Sequence, residues 1–117
     1  GMYLNGFFKQ FNTPTNTQAV VIEGKTYRVL VADNEIEHAK GLMNVRHLDN
    51  ADGIVFLFKE PKIQIFWNQN TYVDLDVYWM MDNTVVGKSH LPSIEKTKSV
   101  EIINSQVPVN KVVEIIR

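Results

Sequence analysis

The amino-acid sequence predicts an α+β domain that is predominantly β, either a compact antiparallel or mixed sheet or a barrel-like domain, with one short α-helix at about residues 35–41. The composition, 44% hydrophobic and 21% charged among 117 residues, is that of one ordinary globular domain. Short apolar runs separated by turn residues recur along the chain, which is typical of sheet proteins. A single segment combines helical spacing with capping residues.

The chain is predicted to divide into an N-terminal arm or linker, residues 1–18, and one domain, residues 19–117. The polar stretch Asn12–Gln18 contains the first proline and no hydrophobic periodicity, which is typical of a linker. We interpret Met2 as the natural start. Because polar residues interrupt the apolar ones that follow it, no secretory signal is recognised, and a cytoplasmic location is expected.

The first two strands are predicted to form a hairpin. Val20–Ile22 and Tyr27–Val31 are apolar runs of strand length. Gly24 lies in the short connection between them and can take the positive φ that tight turns require. These two segments therefore open the predicted sheet.

The one predicted helix follows this hairpin. Asn34 can cap its first turn, and Glu37 stands three residues later, as in a capping box. Ile36 and Ala39 supply a small apolar face, and Gly41 occupies the usual position after the last turn. The helix is expected to be only two turns long.

The middle of the chain carries the strongest strand signals. Ile54–Phe58 is a continuous apolar run and is predicted to be a strand buried on both faces. From Val73 to Met81, apolar residues at every second position alternate with Asp74, Asp76, Tyr78 and Met80. This two-residue period is that of a strand with two chemically different faces. Asp82–Asn83 is a turn signal, so Thr84–Val86 is the expected hairpin partner.

The last third of the chain is predicted to hold a loop and two short strands. The polar stretch Gly87–Ser99 contains Pro92 and several lysines, and it is interpreted as a long surface loop. Val100–Ile103 and Val112–Ile116 are apolar runs and are expected to be strands.

Charge and residue content exclude several classes of partner and site. Twelve basic and thirteen acidic residues leave a net charge of -1, which gives no electrostatic basis for binding nucleic acid or a membrane. The chain has no cysteine and therefore no disulfide or thiolate site. His38, His47 and His90 lack zinc-site spacing and are interpreted as surface residues. No cofactor or metal site is predicted.

Two carboxylates stand close together in the strongest strand. Asp74 and Asp76 lie two residues apart, so they are expected on one face. Such a pair can hold a divalent cation or divide acid and base roles, which would indicate a hydrolase or another metal-assisted enzyme. In the alternative, Asp74 is solvated and Asp76 accepts backbone hydrogen bonds from the Asn68–Tyr72 turn.

An aromatic and polar group of residues precedes this strand. Trp67 lies where a predicted strand enters an Asn-rich turn, close to Asn70 and Thr71. Flat apolar faces beside fixed polar groups are typical of small-ligand sites. Trp67, Asn70, Thr71 and Asp76 are therefore the candidate ligand-binding residues.

Several ordered sequence blocks between about Val29 and Ile115 resemble the DUF192 family. The blocks are Val31–Asp33, Glu37–Met43, Gly53–Phe58, Glu60–Pro61, Phe66–Trp67, Asn70–Thr71 and Leu75–Val77. The resemblance implies a compact, strand-rich domain with one short helix. It implies no reaction, because the family is described as uncharacterised. The family's characteristic Phe-Trp, Asn-Thr and Leu-Asp positions fall on Phe66, Trp67, Asn70, Thr71, Leu75 and Asp76.

The sequence departs from the family pattern at several positions. Asn68–Gln69 stand where the family usually has Met-Lys, so a positive charge beside the candidate site is absent. Asp74 replaces a usual proline, which weakens the idea of a metal-binding pair. The chain also resembles a short form of the family, in which the usual C-terminal segment after the last strand is missing.

The N-terminal arm is the expected substitute for that segment. The arm contains more aromatic side chains than a fully solvated segment usually carries. They are Tyr3, Phe7, Phe8 and Phe11. Exposed sheet edges are usually covered or paired. The arm is therefore predicted to fill the place of the missing segment, either in its own subunit or in a neighbouring one. Exchange of the arm between two subunits would give a homodimer.

Three functional interpretations follow from the sequence. The favoured one is a non-enzymatic module that binds a small polar ligand or a peptide near Trp67, Asn70, Thr71 and Asp76. The second is a hydrolase or another metal-assisted enzyme that uses Asp74 and Asp76. In the third, these residues are purely structural and organise the turn. A fold resemblance does not by itself transfer a function.

Overall fold

The computed structural model describes residues 16–117. Within this range the elements are β1 (Thr17–Ile22), β2 (Lys25–Ala32), α1 (Glu35–Lys40), β3 (Gly53–Lys62), β4 (Ile65–Trp67), β5 (Leu75–Met81), β6 (Thr84–Leu91), α2 (Ile94–Thr97), β7 (Ile102–Asn104) and β8 (Val109–Ile116). Most of the predicted N-terminal arm, with its proposed docking and dimer contact, lies outside the described residues.

Six strands form one mixed sheet in the order β1-β2-β3-β8-β5-β6. β2 and β3 run parallel, with α1 in the connection between them, and the other neighbouring strands are antiparallel. The predominantly β fold with a mixed sheet is therefore confirmed. The barrel-like alternative is wrong, because β1 and β6 lie at opposite edges of an open sheet.

β4 and β7 form a separate two-stranded sheet. Phe66 and Ile103 stand opposite each other in it and pack against the main hydrophobic core. Ile65, Trp67 and Ile102 are exposed on its other side. The small sheet is thus a second layer over one face of the main sheet, with apolar residues on both of its own faces.

β8 is the central strand and is buried on both faces. Val112 belongs to the cluster that faces the small sheet, together with Phe56 and Trp79. Val113 belongs to the cluster on the opposite face, together with Tyr78. Because both faces are covered, the strand needs apolar residues at successive positions, as its sequence has.

The predicted helix is confirmed as α1. The Asn34 side chain accepts a hydrogen bond from the Glu37 backbone N–H at 2.9 Å, and the Glu37 carboxylate accepts one from the Asp33 N–H at 3.1 Å. Gly41 ends the helix with a φ of 47°. Capping by side chains lets a helix this short form at the edge of the core.

The prediction of a long surface loop at residues 87–99 is wrong. β6 continues to Leu91 along β5, and α2 follows it, so the domain has a second short helix. As an edge strand, β6 has a solvent-facing side, and its polar composition therefore resembles that of a loop. Neither helix of residues 16–117 is long and apolar enough to cross a membrane.

Candidate functional site

A pocket of about 450 Å³ lies between α1 with its following turn and the strands β3 and β4. Its walls are largely apolar and aromatic, with Phe56, Phe58 and Phe66 from the strands and Leu42 from the turn. The carboxyl-bearing side chain of Glu114 also lines it. An apolar cavity with a few polar groups is the usual form of a small-molecule site.

Glu114 is 4% exposed and lies in the middle of β8. The neighbouring residues are apolar, Ile54 on β3 and Val77 on β5. Burial raises the pKa of the Glu114 carboxyl to about 8, and within residues 16–117 no hydrogen bond or neighbouring charge contributes. At neutral pH the group is therefore mostly protonated, since removal from water disfavours the charged form.

The carboxyl group of Glu114 opens onto the pocket. Among residues 16–117, every side-chain nitrogen or oxygen that is sealed from solvent has a hydrogen-bond partner. None of these residues stabilises the Glu114 carboxyl by such a hydrogen bond, and the residue lines the pocket. A carboxyl in this position is available to a bound molecule.

The β3 backbone beside the Glu114 carbonyl requires a glycine. A Cβ atom at Gly53 would lie 1.9 Å from the Glu114 carbonyl oxygen, far inside van der Waals contact. Only a residue without a side chain lets β3 approach β8 this closely. Gly53 therefore fixes the position of the strand that carries the buried carboxyl.

The aromatic side chains of the pocket pack in a continuous series. The His38 ring lies 4.5 Å from the Phe58 ring, and the Phe56 ring meets the Phe66 ring edge-on at 4.8 Å. His38 Nε2 donates to the Ala32 carbonyl at 3.0 Å, which orients the imidazole. The prediction of His38 as a surface residue is wrong, because its side chain is partly buried against these rings.

The mouth of the pocket carries both apolar and charged residues. Trp67 is 49% exposed and lines the pocket beside Ile65. Lys40 also lines it, and its ammonium group donates to the Met43 carbonyl. Partial burial lowers the pKa of Lys40. The opening thus combines one broad indole face with one partly desolvated amine.

The structure brings together only part of the sequence-predicted site. Trp67 and Thr71 both line the pocket. Asn70 is exposed outside it, where its carbonyl accepts a hydrogen bond from the Asn44 N–H at 2.8 Å. Asp76 lies on the opposite face of the main sheet, among residues that include Tyr27.

Asp76 contacts the side chains of His90 on β6 and of Arg117. Its carboxylate oxygens are each 3.7 Å from a nitrogen, one of His90 and one of Arg117. The expectation that Asp76 holds the Asn68–Tyr72 turn by backbone hydrogen bonds is wrong. Asp76 belongs to β5, and the turn lies on the other side of the sheet.

Asn68 fixes the turn instead. Its amide nitrogen donates to the Pro92 carbonyl at 3.0 Å and to the Thr97 hydroxyl at 2.9 Å. Its amide oxygen accepts from the Glu101 backbone N–H at 2.7 Å. The side chain is fully buried, so these hydrogen bonds join β4 to the segment around α2 and hold the pocket wall in place.

The family model for DUF192, described as uncharacterized ACR, matches residues 18–117. The chain belongs to the DUF192 family. The match covers the pocket and every element of the two sheets except the first residue of β1. No curated protein matches the chain.

Two crystal structures have folds similar to this DUF192 domain. One is a proposed transcription regulator from Sinorhizobium meliloti 1021, 27% identical, with a TM-score of 0.67 over 86% of this chain and 78% of that chain. The other is a protein of unknown function from Novosphingobium aromaticivorans DSM 12444, 25% identical, with a TM-score of 0.68 over 86% and 71% of the chains.

Asp74 has a different environment from Asp76 in this DUF192 domain. The Asp74 carboxylate accepts a hydrogen bond from the Ser93 backbone N–H at 2.9 Å and contacts the Lys96 ammonium group. These two donors lower its pKa, the Lys96 contact contributing most. Asp74 therefore stabilises the turn before α2, whereas the Asp76 carboxylate contacts His90 and Arg117.

Glu114 and His38 line the pocket but were not among the binding residues predicted from the sequence. The signal for Glu114 is a single carboxylate inside the apolar run Val112–Ile116. For His38 it is the position four residues after the helix cap Asn34, on the side that faces β3. Neither signal distinguishes a pocket residue from a solvent-facing one until the strand order is known.

Proposed function

We propose that this DUF192 domain is a non-enzymatic binding module for a small organic molecule with an apolar body and one polar group. The molecule occupies the pocket between α1 and β4. The observation that carries the proposal is the Glu114 carboxyl, buried among apolar residues in the wall of the pocket. Burial of an acidic group without a protein partner is costly, which favours a role in binding.

The dimensions of the pocket support a small ligand. A volume of about 450 Å³ is within the range of sites that enclose most of a small molecule. Trp67 and Thr71, two of the sequence-predicted binding residues, contribute to its wall. The proposal therefore keeps these two residues in the site and replaces Asn70 and Asp76 by Glu114 and the aromatic side chains.

Binding is favoured over catalysis by the surroundings of the acidic groups. The Asp74 carboxylate binds the Ser93 backbone N–H and the Lys96 ammonium group. Asp76 lies on the face of the main sheet opposite the pocket. In the pocket itself, Glu114 stands among apolar and aromatic side chains, and no base or nucleophile of the described part of the chain is hydrogen-bonded to it. The S. meliloti relative is proposed to be a transcription regulator, and a ligand-sensing pocket would suit that class of protein.

The test is a fragment screen read by chemical-shift changes in the backbone and tryptophan side-chain resonances. Fragments that bind in the pocket are expected to shift Gly41, Phe66 and the Trp67 indole. The blocking variant is Ala39→Phe, because Ala39 lines the pocket from the exposed side of α1. The matched control is Ile36→Phe, which adds a similar ring to the same helix at a solvent-exposed position away from the pocket.

The proposal requires that binding be lost in Ala39→Phe and retained in Ile36→Phe. Hits that shift only residues around Asp76 and Arg117 would place the site on the opposite face and overturn it. Complete absence of hits in the folded protein would favour the purely structural interpretation of these residues.

A further inference from the structure

We propose, on the basis of the proposed function, that the polar group of the ligand carries a positive charge. The pocket takes a small organic ammonium ion, whose charge pairs with the Glu114 carboxylate while its carbon atoms contact the aromatic walls. The geometry that points to this is one buried acidic side chain at the base of a pocket lined by aromatic rings.

The acidic side chain sets the sign of the charge. An anionic ligand would keep the Glu114 carboxyl protonated and would gain no charge pairing, whereas a nearby cation favours the ionised carboxylate. A cationic ligand supplies the opposite charge that none of residues 16–117 provides to this carboxyl. An opposite charge close to a buried carboxylate offsets part of the cost of removing that carboxylate from water.

The walls suit a cation of this kind. Phe56, Phe58 and Phe66 line the pocket, and the Trp67 indole stands at its mouth. Aromatic faces carry partial negative charge and attract ammonium groups, most strongly when water is excluded. Alkyl groups on the nitrogen would gain apolar contact with the same rings.

The other charged groups of the pocket all come from α1. Glu35 adds a second acidic group at the rim, and Lys40 adds one basic group. The Lys40 ammonium is already hydrogen-bonded to the Met43 carbonyl, and the His38 Nε2 hydrogen to the Ala32 carbonyl. The residues that line the pocket from β3 and β4 have uncharged side chains, so Glu114 is the ionisable group that faces a ligand bound against these strands.

The competing possibility is a neutral ligand that accepts a hydrogen bond from protonated Glu114. Two probes separate the cases: choline, and 3,3-dimethylbutan-1-ol, in which a carbon replaces the ammonium nitrogen. The two molecules have nearly the same shape and the same hydroxyl group, and they differ in charge. Binding is measured by nuclear magnetic resonance titration of the folded protein.

Choline is expected to bind at least about tenfold more tightly than the alcohol above the pH at which Glu114 ionises, because only choline gains the charge pairing. Glu114→Gln is expected to remove this preference while leaving alcohol binding almost unchanged. The control Glu60→Gln removes one acidic group from an exposed position outside the pocket, and it should preserve the preference for choline.

The pH dependence gives a second readout. Choline carries a fixed charge, so its affinity should follow the ionisation of Glu114, rising about tenfold between about pH 6 and 7 and levelling off above about pH 8. The alcohol should bind no better as the pH rises. This difference disappears in Glu114→Gln if the carboxyl is its source.

Failure of the inference and failure of the proposed function are distinguishable. Equal affinities for the two probes, both lost in Ala39→Phe, would leave the pocket as a binding site and overturn the preference for a cation. Choline binding that survives Glu114→Gln would also overturn it, as would absence of choline binding at millimolar concentration. If no fragment binds in the pocket of the folded wild-type protein, the proposed function itself is overturned.

Discussion

Gly53 lies directly against the carbonyl oxygen of Glu114, at a distance where a single added Cβ would stand 1.9 Å from that oxygen. The contact joins β3 to the strand that carries the buried carboxyl. It makes the position of the pocket floor dependent on one residue without a side chain.

Gly53→Ala is expected to destabilise the domain by about 3 kcal/mol or more, because β3 and β8 must separate to relieve the overlap. The control is Gly24→Ala in the β1–β2 turn, where an added Cβ meets nothing and only the positive φ of 82° is unfavourable. That change should cost about 1 kcal/mol. Urea unfolding measures both, and equal losses would contradict the close contact.

Glu114→Gln is expected to change how stability depends on pH. The folded-state pKa of about 8 lies above the ordinary value of 4.5, so the folded protein holds a proton that the unfolded chain has released. The stability of the wild type should therefore fall as the pH rises from about 5 to 8, by about 1 kcal/mol per pH unit.

The measurement is the free energy of unfolding of wild type and Glu114→Gln across this range. The variant should lose most of the slope and be the more stable protein near pH 8, since its amide does not ionise. Parallel curves for the two proteins would mean that Glu114 is ionised and solvated in the native state.

Asn68→Ala is expected to destabilise the domain by about 3 kcal/mol, because it removes a fully buried amide and leaves the partly buried Glu101 N–H and Pro92 carbonyl without their partner. The Trp67 fluorescence maximum should also move, since Trp67 is the neighbouring residue. Gln69→Ala is the control and should have a small effect on both readouts. Chemical denaturation followed by fluorescence tests the pair, and similar results for both variants would argue against the anchoring role.

Asp74→Ala is expected to cost about 1 kcal/mol, the usual contribution of a side chain that caps a turn, whereas Asp76→Ala should stay within about 0.5 kcal/mol. Because its donors lower the pKa of Asp74, its contribution should be present at neutral pH and be lost as the pH falls below about 4. Thermal unfolding at neutral and acidic pH measures this. A larger loss for Asp76→Ala would reverse the assigned roles.

Local sequence signals predicted the elements whose causes are local. The cap formed by Asn34 and Glu37 defined α1, and the alternation around Val77 defined β5. The edge strand β6 was missed beyond Val86, because a strand with one solvent-facing side and a glycine that accommodates Trp79 has the composition of a loop.

The candidate site depended on information that is not local. Trp67 and Thr71 were predicted because an aromatic residue and polar residues lie within a few positions of one another at a turn. That proximity can be read directly from the sequence. Glu114 was missed because its burial follows from the position of β8 between β3 and β5, and that strand order is set by contacts distant in sequence. The face to which Asp76 points depends on the same pairing.

The pairing of β4 with β7 also has a consequence for the order of folding. The two short strands are separated along the chain by β5, β6 and α2, so joining them requires closure of a long loop for few backbone hydrogen bonds. Contacts of this kind form late, after hairpins such as β5–β6. We therefore expect a folding intermediate in which the hairpins are paired but the pocket is still open. The ability to bind a ligand would then appear only in the final folding step, and a ligand would mainly slow the first step of unfolding.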